Sequence, residues 1–176
     1  MEFNLNRSLE ILSSTPGVLQ HLLSGLSDEW LYSNEGENTW SPHTVIGHLI
    51  YADETNWIPR ARKILSDVDN RFVPFNRAAQ FELYNDKSIG DLLTRFSEVR
   101  RNSLKELSTI DINERTLSRK GIHPDFGEVT LSQLLSTWTV HDLDHVNQIS
   151  RVLAKQYDDA VGPWKSFLGV LKRGLQ

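Results

Sequence analysis

Apolar residues recur over the first part of the chain at the three- and four-residue spacing of one helical face: Leu5, Leu9, Leu12, Leu19, Leu22, Leu23 and Leu26. Pro16 interrupts the stripe. It has no N–H and its ring crowds the preceding turn, so the pattern predicts a kink or restart there, with Thr15 as the cap. A second helix begins at Ser41-Pro42, an N-cap hydroxyl followed by a residue whose missing N–H costs nothing in the first turn. It runs through Val45, His48, Leu49 and Ala52 to about Leu65, with a kink expected at Pro59. Over residues 68–86 the periodicity fails, yet Phe72, Pro74, Phe75 and Phe81 make the stretch too apolar for a free linker; it reads as a loop packed over the helices. Ile89, Leu92, Leu93, Phe96, Val99, Leu104 and Leu107 form a third stripe, and Arg95, Arg100, Arg101 and Lys105 read as its solvated face. The segment GIHPDFGEVT reads as a loop ending in Thr130, an N-cap for a fourth helix from Leu131 to about Lys155. After a turn at Gly162-Pro163, a short helix carries Trp164, Phe167, Leu168 and Leu171.

Four helices with one apolar stripe each must bury those stripes against one another. The expected fold is therefore all-α, an antiparallel four-helix bundle with a short C-terminal helix, formed as a single domain over residues 1–176. A composition of 39% hydrophobic and 24% charged residues provides for one real core. The net charge of −4 lacks the basic surplus that drives phosphate-backbone binding, so nucleic acid is not an expected partner. No apolar run reaches the roughly 18 residues of a membrane span, and MEFNLNRSLE has no signal-peptide core; a cytoplasmic location without membrane association is expected. The chain has no cysteine, so any metal must be held by nitrogen and oxygen.

The fourth helix carries the candidate chemistry, in HDLDHVNQIS. At about 100° per residue, with His141 at zero, Leu134 and Val152 fall near about 20°, His145 near about 40° and Trp138 near about 60°. Both histidines thus point to the core side. Asp142 falls near about 100°, inside the apolar sector, and Asp144 near about −60°, at its margin. Burying an imidazole or carboxylate costs a few kcal/mol unless it is hydrogen-bonded or bound to metal. On pattern alone two readings stand, a metal site and a buried polar network, because a pair at this spacing also arises by chance. His48 offers a third ligand from the second helix, on the face of Val45, Ala52 and Thr55. His43 reads as a surface residue, His21 as a satisfied or half-exposed one, and His123 as a residue that either fixes its loop, the favoured reading, or approaches the site as part of a lid. Asp53 and Glu54 fall off the His48 face, whereas Tyr51 and Thr55 flank it, as packing or substrate contacts.

The words TWSPHTVIGHLIYADE and GEVTLSQLLSTWTVHDLDHVNQI, in this order and followed by GPWKSFL, resemble the DinB-like (YfiT-like) family of metalloenzymes. The resemblance implies a four-helix bundle holding one divalent ion, commonly zinc or nickel, on three histidines with open positions left to water. The histidine of its Gly-His-Leu word corresponds to His48, and the other two to His141 and His145. Asp142 matches the acidic position after the first histidine of the pair, to support a ligand ring by hydrogen bonding or to join two helices. Gln148 matches a glutamine that often follows, and Asn147 stands where many relatives have glycine, which bears on close helix packing. Characterised members include metal-dependent transferases that join low-molecular-weight thiols to electrophiles and a thiol-dependent isomerase; others are described as hydrolases, and relatives are often dimers. The expectation is a metal-dependent thiol S-transferase or hydrolase acting on a small molecule, with a low-molecular-weight thiol as candidate substrate and a homodimer as candidate assembly. The alternative is a non-catalytic metal- or ligand-binding bundle with a stress-response role.

Overall fold

Asn4, Ser41, Ser88 and Thr130 each accept a hydrogen bond from the backbone N–H three residues on, and each opens a long helix. A computed structural model describes residues 2–172; of the domain expected over 1–176, residues 1 and 173–176 lie outside the described residues. The helices are α1 (Leu5–Leu23), α2 (Asp28–Tyr32), α3 (Pro42–Thr55), α4 (Trp57–Leu65), α5 (Ala79–Tyr84), α6 (Ile89–Leu107) and α7 (Glu114–Leu117). A hairpin of β1 (Lys120–His123) and β2 (Gly127–Thr130) precedes α8 (Leu131–Lys155), and a 3-10 turn (Gly162–Phe167) leads to α9 (Gly169–Lys172). No helix among the described residues is long and apolar enough to cross a membrane.

The two prolines act in different ways. Helix α1 runs through Pro16 without a restart, and the Thr15 hydroxyl donates back to the Ile11 carbonyl at 3.0 Å instead of capping a new helix. Pro16 leaves the Leu12 carbonyl without its usual helical donor, and the Arg100 guanidinium supplies one at 2.9 Å. In the second helix the break falls at Asn56 (φ −108, ψ −66), three residues before Pro59. A proline ring collides with the carbonyl four residues back, so the chain dislocates near Thr55 and restarts as α4.

Helices α1, α3, α6 and α8 form the expected four-helix bundle. Each of α1 and α3 packs against both α6 and α8, so α1 lies diagonally across from α3. Two apolar clusters fill the interior. One joins Leu12, Ala52, Trp57, Leu107, Leu131 and Trp138; the other joins Leu19, Ile50, Leu92, Phe96, Val99 and Ile149. Every long helix crosses from one cluster to the other, and Arg100 sits at that seam.

The segment expected as a loop before α8 is an antiparallel hairpin, with Lys120 opposite Thr130 and His123 opposite Gly127. Phe72 and Asn70 add backbone hydrogen bonds to Ile122, both at 2.9 Å, which pins the 68–78 stretch to the hairpin. Phe72 then packs closely against Gly121: a Cβ there would lie 2.5 Å from the Phe72 ring and 2.8 Å from Ile64. At the C-terminus Leu171 is buried, but Trp164 and Phe167 are exposed.

Gly121→Ala is therefore expected to destabilise the protein by about 1–3 kcal/mol through overpacking, read as a lower urea midpoint. An unchanged midpoint would show that the hairpin does not depend on this contact.

Candidate metal centre

Three imidazoles from two facing helices meet at one point. His48 on α3 and His145 on α8 each direct Nε2 to within 3.1 Å of His141 Nε2. His48 and His145 are buried, and His141 is partly so. On the far side of its ring, His48 Nδ1–H donates to Gln80 Oε1 at 2.8 Å, and His145 Nδ1–H donates to Gln148 Oε1 at 2.7 Å. A neutral imidazole that donates from Nδ1 carries a bare lone pair at Nε2. Two of the three converging nitrogens are thus lone pairs, and a single proton on His141 Nε2 can satisfy only one of them.

Burial, followed by the repulsion of His145, pushes His48 down to about 4. Burial and the two neighbouring imidazoles push His141 down to about 2, and burial lowers His145. All three are neutral at pH 7, the form in which histidine binds metal. Imidazole nitrogens on a tetrahedral zinc stand about 3.4 Å apart, close to the spacing found here. The donor set therefore fits a divalent ion, and these three residues form a group that could hold one. The walls are aromatic. Trp40 lies 4.9 Å from His48 and stacks on His145 at 6.4 Å, Phe75 meets His48 edge-on at 5.7 Å, and Trp57 meets His141 at 5.0 Å, all between ring centroids.

Asp142 does not support a histidine ring. Both of its oxygens accept from Arg100, one from Nη1 and one from Nη2 at 2.9 Å. Arg100 itself is only 2% exposed, which corrects its reading as part of a solvated face. Its Nε and Nη2 donate to the two oxygens of Asp53 at 2.6 and 3.0 Å, and its remaining Nη1 proton goes to the Leu12 carbonyl. Trp138 Nε1 adds a hydrogen bond to Asp53 at 3.2 Å. Burial would lower the Arg100 pKa, but the two carboxylates overcome it and keep the guanidinium charged. Burial pushes Asp53 up to about 6, against the pull of Arg100.

The remaining positions fall away from the site. His43 is buried rather than at the surface, because the chain entering α6 covers it: its Nε2–H donates to the Lys87 carbonyl at 2.8 Å. His21 is exposed and bonds its own helix at the Gly17 carbonyl. His123 accepts the Asp125 N–H at 3.1 Å and stacks on Phe126, so it fixes the hairpin turn. Asp144 is exposed. Glu54 accepts from Tyr84 Oη at 2.6 Å and from Arg95 at 2.5 Å. Tyr51 packs on Phe75, and Thr55 bonds the Tyr51 carbonyl. Gln80 and Trp40 had no periodic signal in the sequence. Arg100 had one: at about 100° per residue it falls about 40° from Phe96, in the middle of the apolar stripe.

A model of the DinB superfamily matches residues 11–149. The chain belongs to the DinB superfamily. The same fold recurs in YfiT from Bacillus subtilis, described as a probable metal-dependent hydrolase with an unusual four-helix bundle topology, at 19% identity and a TM-score of 0.71 over 86% of each chain. It recurs in TT2238, a four-helix bundle protein, at 20% identity and a TM-score of 0.57, covering 84% of this chain and 98% of that one. No curated protein matches the chain. Within this DinB-superfamily bundle, the three-histidine cluster is a site that could hold a metal ion.

The depressed histidine pKa values set a pH dependence for the metal-free protein. Unfolded histidines titrate near about 6.5, so below that pH the unfolded chain takes up protons that the folded one refuses, and stability falls as the pH drops. The raised Asp53 works oppositely between about 4 and 6, where the folded state keeps a proton that the unfolded chain releases. The histidine effect is thus cleanest from pH 7.5 to 6, where a loss of about 1–2 kcal/mol is expected in urea titrations. His141→Asn should flatten that slope; an equal slope in the variant would show that His141 is not held neutral.

Proposed function

We propose that this protein is a metal-dependent enzyme that activates a nucleophile, a small thiol or water, for attack on a small electrophilic substrate. The observation that carries the reading is the convergence of three neutral imidazole nitrogens with too few protons to satisfy one another. A divalent ion, zinc or nickel, held by His48, His141 and His145 would keep its full charge, acidify a bound thiol or water and polarise a substrate oxygen. Gln80 and Gln148 fix the ring tautomers that leave Nε2 free to bind. Trp40 and Phe75 supply apolar walls that limit water and suit the hydrocarbon part of a substrate. Of the carboxylates on these helices, Asp53, Glu54 and Asp142 are engaged by Arg100, Arg95, Trp138 and Tyr84, and Asp144 is exposed to solvent. A nucleophile made acidic by the ion needs no base from the three buried or paired carboxylates. Hydrolysis is supported further by the description of YfiT, which shares the fold, as a probable metal-dependent hydrolase.

Elemental analysis of untagged protein, followed by zinc and nickel titration, tests the site. One ion per chain is expected, with binding lost in His48→Ala and His141→Ala; full occupancy in both variants would overturn the ligand assignment. The loaded protein is then incubated with a small thiol plus a model electrophile, and separately with an ester and amide panel. Metal-dependent consumption of thiol identifies a transferase and metal-dependent release of acid a hydrolase. Neither, across both panels, would leave a binding protein without catalysis.

A further inference from the structure

The Arg100 cluster is more elaborate than stability requires. A guanidinium and two carboxylates are buried together, and replacing such a group with apolar side chains of similar volume is often neutral or stabilising. Its placement suggests another use. Asp53 lies on α3, the helix of His48, and Asp142 lies on α8 beside His141, so Arg100 links the two helices that bring the three imidazoles together. The planar fork bonds both oxygens of each carboxylate and thereby restricts sliding and rotation of either helix. The fifth N–H binds the Leu12 carbonyl that Pro16 leaves free, which anchors the clamp to the diagonal helix α1.

We propose that Arg100 is the positioning residue of the metal centre: its clamp on Asp53, Asp142 and the Leu12 carbonyl sets the register of α3 against α8 and so the separation of the three Nε2 atoms. The inference rests on the metal-site reading, and two readouts keep them apart. The quadruple variant P16A/D53L/R100M/D142L removes the cluster as a unit and restores a helical donor to the Leu12 carbonyl. It should fold, with a helical spectrum and a Tm lowered by several degrees, because D53L also takes the acceptor from the buried Trp138 Nε1–H. Zinc affinity should nevertheless fall about 10-fold or more, the effect typical of losing a group that orients ligands. In the metal-free state, side-chain 15N spectra of wild type should show ordered rings with Nδ1–H on His48 and His145, and the variant should show averaged tautomers. Arg100→Lys keeps the buried charge but not the fork, and supplies the same comparison if the quadruple variant fails to fold; a weaker loss of both signals is expected. Wild-type zinc affinity together with wild-type histidine spectra in either folded variant would overturn the proposal. If wild type binds no zinc but the variants still lose their ordered histidine signals, the positioning role stands and the metal reading falls.

Discussion

A buried guanidinium must place five N–H donors on acceptors, because in a dry interior each one left over costs on the order of 1–3 kcal/mol. Arg100 meets that demand with Asp53, Asp142 and the Leu12 carbonyl, and much of the bundle is arranged around the solution. It accounts for a proline inside α1, since the carbonyl that Pro16 deprives of a donor is the one that Arg100 uses. It accounts also for a carboxylate beside the histidine pair that touches neither ring. The two apolar clusters meet at this seam, and the flat faces of Phe96 and Trp138 lie against the guanidinium at 4.9 and 5.2 Å.

The histidine cluster is assembled by the same two helices. Spacing of four residues puts His141 and His145 on one face of α8, and the Ser41 cap with Pro42 fixes where α3 begins and so where His48 points. What equips three nearby rings to hold an ion is the pair of glutamines behind them. By accepting the Nδ1 protons they turn the Nε2 lone pairs of His48 and His145 inward, and burial keeps the rings neutral.

The long helices were legible in the sequence because each has a single apolar stripe and a side-chain cap, and the inward orientation of the three histidines followed from the same periodicity. Less legible were features made by distant segments. His43 looked exposed because the backbone that covers it, at Lys87, comes from another part of the chain. Gln80 lies in a stretch with no repeat, and only its docking onto α3 shows that it serves His48. The hairpin read as a loop because its strands have four residues each and two glycines and a proline dominate the local signal. Arg100 was misread for a different reason. Its place in the stripe was visible, but an arginine amid leucines is buried only if acceptors meet it, and those acceptors lie on three other helices.

The functional account depends on the three imidazoles sharing one ion. Zinc-edge anomalous diffraction from crystals of the untagged protein grown with zinc tests this most directly. The account predicts one strong peak within bonding distance of Nε2 of His48, His141 and His145. Zinc peaks confined to other residues, with the three rings left in direct contact with one another, would contradict it.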